Sequence, residues 1–279
     1  MSMASISKIQ KIFRKTRPIT IGVIHLPPLL GYPGFPGIAV AENNALRDLS
    51  AFERGGFDAV IFENNYDIPH QQFVSPAVVA AMTFLGAKIK KASKLPLGVS
   101  VLWNDYRAAL AIARVLRLQF VRIPVFVNKV KTANGIIEGN PKEVTALRKQ
   151  LGVNEVALLT DIHVKHAKIL SSYSLEESAR RAIVAGSDAL IVTGQWTGDA
   201  PELDELVSLR GMIGGFPIFI GSGANKNNAG VLCRYANGVI VSTALKAGKE
   251  GTHKANIKAY TQRINEARVR MFIRTLNKG

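Results

Sequence analysis

Three observations predict an α/β chain folded as a single (β/α)8 TIM barrel. Short runs rich in β-branched residues alternate with segments of helical periodicity from residue 19 onward, the pattern of repeated βαβ units and a parallel sheet. Eight such runs occur, the number that a closed barrel needs. Glycine with a small or acidic residue marks several helix-to-strand junctions: "GGFDA" at 55–59, "AGSDA" at 185–189 and "ANGV" at 236–239. Glycine supplies the left-handed helix end there, and the next strand starts at once. The competing topology, a doubly wound open sheet, would want a glycine-rich turn after the first strand, which "HLPPLLGYPG" does not provide.

The runs are "ITIGVIHL" (19–26), "DAVIFEN" (58–64), "LGVSVLW" (97–103), "FVRIPVF" (120–126), "VALLTDIH" (156–163), "DALIVTG" (188–194), "PIFIGSG" (217–223) and "GVIVSTAL" (238–245). Helices are expected between them, over 41–54, 76–92, 106–117, 141–151, 175–185, 202–212 and 227–236. A last helix is expected over 256–276, where Ile257, Tyr260, Ile264, Ala267 and Met271 form an apolar stripe. Phe272 and Ile273 of that helix, if exposed, would serve a homo-oligomer contact.

Hydrophobic residues make up 47% of the 279 residues and charged residues 20%, enough apolar surface for a folded core. No apolar segment reaches the ~20 residues of a bilayer span. The single cysteine, Cys233, excludes an intramolecular disulfide and fits a reducing compartment as a structural thiol. The net charge of +16 favours anionic partners. It is scattered along expected helices without interleaved aromatics, which reads as a solvated basic surface rather than a nucleic-acid site. Residues 1–17 hold five basic residues, three serines and no acid, and the first acid of the chain is Glu42. They form either a mitochondrial targeting segment or a basic N-terminal arm, which leaves 18–279 as the barrel domain and mitochondrion or cytoplasm as the location.

In a barrel, catalytic groups sit where strands end and loops begin. The ends of the eight runs carry His25; Glu63, Asn64, Asn65 and Asp67; Asn104 and Asp105; Arg122; Asp161, His163, Lys165 and His166; Thr193, Gln195 and Thr197; Ser222; and Ser242, Thr243 and Lys246. Single residues have plainer uses: Asn104 or Asp105 could cap the helix from Tyr106, and Arg122 could be a paired charge inside the barrel. The gathering of polar groups at strand ends is what indicates a site.

The fifth run is the richest. Alternation along a strand places Asp161, His163 and Lys165 on one face with Ala157 and Leu159, and Ile162 and Val164 on the other. A carboxylate and an amine this close would shift each other's pKa and serve as general acid and base, and Lys165 could form a Schiff base. A divalent metal on Asp161, His163 and His166 is disfavoured, because His-x-x-His on an extended chain splays the rings. No cofactor is expected.

Gly221, Ser222 and Gly223 after the seventh run, with Ser242 and Thr243 after the eighth, resemble the two loops that bind phosphate in many barrels. Lys246 either pairs with the anion or faces solvent. The first loop, "PPLLGYPGFPG", has four prolines and three glycines and is either a lid or a rigid crossing.

The segments "GVIHLPPLLGYPG", "VIFENNYDIP", "LGVSVLWNDYRAALAIA", "GIIEG", "DIHVKHA", "VTGQWTG" and "IGSGANKNN" follow one another in the order and spacing of the BtpA family. The resemblance covers about residues 19–250 and implies a phosphate-binding (β/α)8 barrel. It maps the family's motif positions onto His25, Glu63, Asn64, Asp67, Asn104, Asp105, Asp161, Lys165, His166, Thr193, Gly194, Gly198, Gly221, Ser222 and Gly223. Two departures stand out: Ala133 in "TANG" replaces an acid that the family usually carries, and "IP" after Arg122 replaces Val-Asn.

Two functions follow as expectations. One is an enzyme acting on a small phosphorylated metabolite, a sugar or nucleoside phosphate. Asp161, Lys165, Glu63, Asp67 and His163 would be its catalytic groups. His25, Asn64, Asn104, Asp105, Arg122, His166, Thr193, Gly221, Ser222, Gly223, Ser242 and Thr243 would hold the substrate. The other, implied by the resemblance to a family named for photosystem I biogenesis, is a non-catalytic assembly or stability factor for a membrane complex.

Overall fold

Each of the eight β-branched runs forms a strand in the computed structural model, which describes residues 7–15, 18–194, 196, 198–248, 256 and 258–277. The order begins α1 (Lys8–Phe13), β1 (Ile19–His25), α2 (Ile38–Gly55), β2 (Ala59–Glu63), α3 (Pro76–Ala92), β3 (Leu97–Ser100), α4 (Tyr106–Leu116) and β4 (Phe120–Ile123). It continues with β5 (Lys129–Thr132), β6 (Gly135–Glu138), α5 (Pro141–Gln150), β7 (Ala157–His163), β8 (Lys168–Ile169), α6 (Leu175–Val184) and β9 (Ala189–Val192). Last come α7 (Leu203–Ile213), β10 (Ile218–Ile220), α8 (Ala229–Leu232), β11 (Gly238–Val241) and α9 (Glu266–Leu276). Strands β1, β2, β3, β4, β7, β9, β10 and β11 close into a parallel barrel in that order, so all eight carboxyl ends open at one mouth.

Local chemistry sets the helix ends. Ser75, Asp105, Asn140, Ser174 and Asn265 each accept a backbone N–H in the first turn of α3, α4, α5, α6 and α9. Gly56 ends α2 in the left-handed region.

Three expectations are corrected. The last helix starts at Glu266 rather than 256. The Ile264 N–H donates to Asp48 at 2.9 Å and Ile264 bridges to Lys246, which holds the chain out of the helix until Asn265 caps α9. The helix expected over 227–236 shrinks to the single turn α8, because the Asn225 and Asn228 side chains accept the N–H groups of Asn227 and Asn225. Phe272 is buried against Phe57, with ring centroids 6.0 Å apart, so it offers no exposed oligomer contact.

Alternation along the strands separates two cores. Outward residues such as Ile24, Phe62, Leu158 and Ile162 pack on the helices with Phe52, Leu85 and Leu110. Inward residues, among them Ile21, Ile61, Phe120, Leu159, Ile191, Phe219 and Ile240, fill the barrel. Gly98 makes room for one of them: a Cβ there would stand 2.2 Å from the Phe120 ring.

The basic N-terminal segment completes this interior. Ile9 and Phe13 of α1 are buried in the same cluster, and Phe13 lies 6.1 Å from Phe120 and 6.3 Å from Phe219. Lys8 pairs with Asp188 at 3.3 Å and Lys15 pairs with Asp58. These are the two acids of the "GGFDA" and "AGSDA" junctions. Each also accepts the N–H of a residue early in the preceding barrel strand, Thr20 and Leu158, at 2.9 Å. α1 is therefore the floor of the barrel. Residues 1–6 and 16–17 of the arm lie outside the described residues.

Candidate active site

Continuing the inward register one step beyond the apolar layer brings His25, Glu63, Ser100, Arg122, Asp161, Gly221 and Ser242 to the mouth. A cavity of about 220 Å³ opens there, lined by His25, Glu63, Arg122, Lys165, Gly221–Gly223, Ser242 and Thr243. Asn65, Tyr66, Asn225, Asn256 and Lys258 complete its wall.

Its charged groups are held in pairs, apart from Lys258, which donates to the Gly248 carbonyl at 2.7 Å, and Lys165. The Arg122 guanidinium donates twice to Asp161, Nε to Oδ1 at 2.9 Å and Nη2 to Oδ2 at 2.8 Å. Burial raises the Asp161 carboxyl while Arg122 opposes it. Both oxygens act as acceptors, so the pair is an ion pair. Its Asp161 side is fully used in holding Arg122. His25 Nε2 lies 3.2 Å from Glu63 Oε1. Burial, then the nearby Lys246, lowers His25 to about 4, so it is neutral and donates Nε2–H to the carboxylate. Burial pushes Glu63 upward, but the His25 hydrogen bond and the charges of Arg122 and Lys165 outweigh it and bring Glu63 to about 2.

Lys165 is unpaired. Its ammonium makes no hydrogen bond or ion pair among the described residues, and desolvation, with Arg122 nearby, lowers it to about 8. Ser242 Oγ and Ser100 Oγ are likewise buried without a partner. The N–H groups of Gly223 and Ala224 donate to no acceptor among the described residues. Gly223 has φ +72°, and a Cβ on it would lie 2.0 Å from the Ala200 nitrogen, so only glycine lets these two loops meet.

Several expected site residues are spent on scaffolding. The Asn64 amide clasps the Leu102 peptide at 2.7 and 3.1 Å, and Asn104 clasps Val125 in the same way at 2.8 and 2.9 Å. Asp105 caps α4 and accepts the Val74 N–H at 2.9 Å. Asp67 accepts from Leu29 at 2.7 Å and from Asn64 at 3.1 Å, outside the cavity, and burial raises it to about 6. It thereby anchors the proline-rich first loop through the buried Leu29. Ser222 Oγ donates to the Asp199 carbonyl at 2.8 Å and accepts the Gly194 N–H at 3.1 Å. Thr193 donates to the His163 carbonyl at 3.0 Å.

Strand alternation fails at one point. A register shift between Asp161 and His163 turns His163 out of the inward face. His163 and His166 line a second cavity instead, while Lys165 lines the mouth and Asp161 stays inward against Arg122. Among the described residues no three His, Cys, Asp or Glu side chains converge as metal ligands. Lys246 neither pairs with an anion nor faces solvent: it is fully buried and donates to the Tyr66 hydroxyl at 3.1 Å. Burial raises the Cys233 thiol to about 11, as befits a structural cysteine. Gln195 and Thr197 lie outside the described residues.

Sequence reasoning missed Ser100, Tyr66, Asn225, Asn256 and Lys258. Ser100 pairs in register with Glu63; ending the third strand there rather than at 103 would have identified it.

The fold and mouth define a (β/α)8-barrel protein with an unpaired lysine and free backbone donors at the strand ends. The chain belongs to the BtpA family, whose model matches residues 15–278. It is 37% identical over 270 residues to the photosystem I biogenesis protein BtpA of Synechocystis sp., covering 96% of this chain and 90% of that protein. An uncharacterized protein of Pyrococcus horikoshii is 36% identical, covering 87% and 93%. An uncharacterized protein of Caenorhabditis elegans, named as mitochondrial, is 31% identical, covering 87% and 90%. Among solved structures, the chain is similar in fold to geranylgeranylglyceryl phosphate synthase from Thermoplasma acidophilum, in complex with its substrate sn-glycerol-1-phosphate. That match has a TM-score of 0.61 at 11% identity, covering 99% and 100%. Phosphoribosylanthranilate isomerase from Pyrococcus furiosus gives 0.57 at 13% identity, covering 94% and 100%. No described helix is long and apolar enough to cross a membrane.

Proposed function

We propose that the chain is an enzyme acting on a small phosphorylated metabolite, a sugar or nucleoside phosphate, by acid–base or carbonyl chemistry at the barrel mouth. The observation that carries this reading is one cavity uniting Gly221–Gly223, Ser242 and Thr243 with the unpaired Lys165. The free N–H groups of Gly223 and Ala224 and the unpartnered Ser242 hydroxyl suit phosphate oxygens. Lysines 165 and 258 supply positive charge on the cavity wall. The phosphorylated substrates of the fold neighbours named above agree with this use of the two loops.

Lys165 is the reacting group. With a pKa near 8 it exists partly as free amine at neutral pH, competent to take a proton or to attack a carbonyl. Arg122, locked by Asp161, orients the substrate, and Glu63 with His25 is a fixed negative element facing the developing positive charge. Calorimetric titration with ribose 5-phosphate should reveal a single saturable site for which inorganic phosphate competes. Affinity should fall above about pH 8, as Lys165 loses its charge, and fall in Lys165→Met. Absence of saturable binding would reject the reading.

A second reading, a non-catalytic assembly or stability factor for a membrane complex, draws on the name of the Synechocystis relative. Under it, Lys165→Met leaves the assembly phenotype of a null strain fully rescued. A mitochondrial location draws on the C. elegans relative and the acid-free N-terminus. Because Ile9 and Phe13 form the barrel floor, a cleavage compatible with the fold falls before Ser7.

A further inference from the structure

Beside the mouth lies a cavity of about 1300 Å³ that the phosphate reading leaves unused. It is lined by Trp103 and Trp196, by His70, His163 and His166, and by the tip of the β5–β6 hairpin at Ala133 and Asn134. Trp103 and Trp196 are the chain's two tryptophans. The His166 and Trp196 rings stand 5.4 Å apart, tilted by 57°, an aromatic wall with one exposed face. Trp196 remains 46% exposed.

Two imidazole edges in this cavity are unsatisfied. His70 Nε2 and His163 Nε2 are both buried and without a hydrogen-bond partner among the described residues, whereas buried polar groups in native proteins are nearly always satisfied. Desolvation lowers both rings, so they are neutral at physiological pH. The cavity therefore offers flat aromatic faces and uncharged ring edges, with Lys131, Lys168, Asp199, Glu202 and Glu205 also on its wall.

The two cavities adjoin along two chain segments, without a lining residue in common. His163 and His166 face the large cavity while Lys165, between them, faces the mouth. In the loop after β9, Gly194, Trp196 and Asp199 line the large cavity and Gly198 lines the mouth. A molecule reaching from one to the other would cross the segment that carries Lys165.

We infer that the second cavity binds a nucleobase, so that the substrate is a nucleoside 5′-monophosphate with its phosphate at the mouth and its ribose beside Lys165. This rests on the phosphate reading and narrows it. Stacking on the tryptophan and histidine faces supplies affinity for any planar base. The His70 and His163 edges pair with base N–H and carbonyl groups, and the large volume admits a purine.

Because both tryptophans line this cavity, tryptophan fluorescence reports its occupancy separately from the mouth. Adenosine 5′-monophosphate and uridine 5′-monophosphate should quench it saturably and bind at least about tenfold tighter than ribose 5-phosphate. Ribose 5-phosphate should bind by calorimetry with little quenching. Trp196→Ala, at an exposed position, should remove the gain due to the base while leaving ribose 5-phosphate affinity within about twofold. If ribose 5-phosphate binds but the nucleotides gain nothing, or the gain persists in Trp196→Ala, the nucleobase assignment is overturned and the phosphate reading stands. If neither ribose 5-phosphate nor the nucleotides bind, the phosphate reading and this inference fall together. If adenosine alone quenches while ribose 5-phosphate fails to bind, only the mouth assignment is lost.

Discussion

The two ends of the barrel are built on opposite terms. At the floor, Ile9 and Phe13 of α1 seal an apolar interior, and Lys8 and Lys15 are paired with Asp188 and Asp58. At the mouth, the same strands end in His25, Glu63, Ser100, Arg122, Asp161 and Ser242, and two hydroxyls and one amine there have no partner. Burying an unpaired polar group costs stability, so the mouth lowers stability in exchange for groups free to meet a ligand. Among the described residues, the floor carries no such groups on its inward face. The contrast separates positions that set stability from positions that set binding.

The Arg122–Asp161 pair sits on the boundary, and its loss should be the most damaging change at the mouth. Arg122→Ala leaves a fully buried carboxylate without its cation, at a cost of about 3–5 kcal/mol in chemical denaturation. Binding of ribose 5-phosphate should be lost as well. Phe13→Ala should cost about 3 kcal/mol and leave ribose 5-phosphate affinity within about twofold. A large affinity change there would break the division between the two ends. Ser242→Ala is the converse. Removing an unpartnered hydroxyl should leave stability within about 0.5 kcal/mol, while ribose 5-phosphate affinity falls about fivefold. A marked loss of stability would mean that the hydroxyl has a structural partner after all.

Much of this arrangement was legible in the sequence, and its failures have physical causes. The eight strands followed from β-branched runs, and alternation along the fifth run correctly turned Asp161 inward above Ala157 and Leu159. Alternation misled at His163, because a register shift after Asp161 turns that ring away, although Lys165 two residues on returns to the mouth. Asn64, Asn104, Asp67 and Asp105 read as site residues because polar groups at strand ends look alike in a sequence. What separates them is whether a backbone partner from the next loop consumes their hydrogen bonds, a tertiary fact. The hairpin β5–β6 went unseen, although the "TANG" turn between two short runs was a cue for it. Ile9 and Phe13 sit among basic residues whose composition suggests a targeting segment; only the closed barrel reveals the floor that they fill.

The smallest expected effect tests the mouth electrostatics directly. His25 binds a proton near pH 6.5 in the unfolded chain but only near pH 4 in the fold, where burial keeps it neutral. Between these values the unfolded state holds more protons, so lowering the pH favours unfolding. His25 thus contributes stability that is fully present above about pH 6.5 and is lost as the pH falls toward 4. Over pH 6.5 to 4.5 Glu63 stays ionised in the fold and adds little to the slope, since its own loss begins nearer its unfolded value of 4.5. His25→Gln can retain the N–H donor to Glu63 and removes the titration. Unfolding free energies measured across that window should fall less steeply in the variant, by at most about 1.4 kcal/mol per pH unit. Parallel curves for the two proteins would show that His25 is protonated in the fold, and the Glu63 partner would then be an imidazolium rather than a neutral donor.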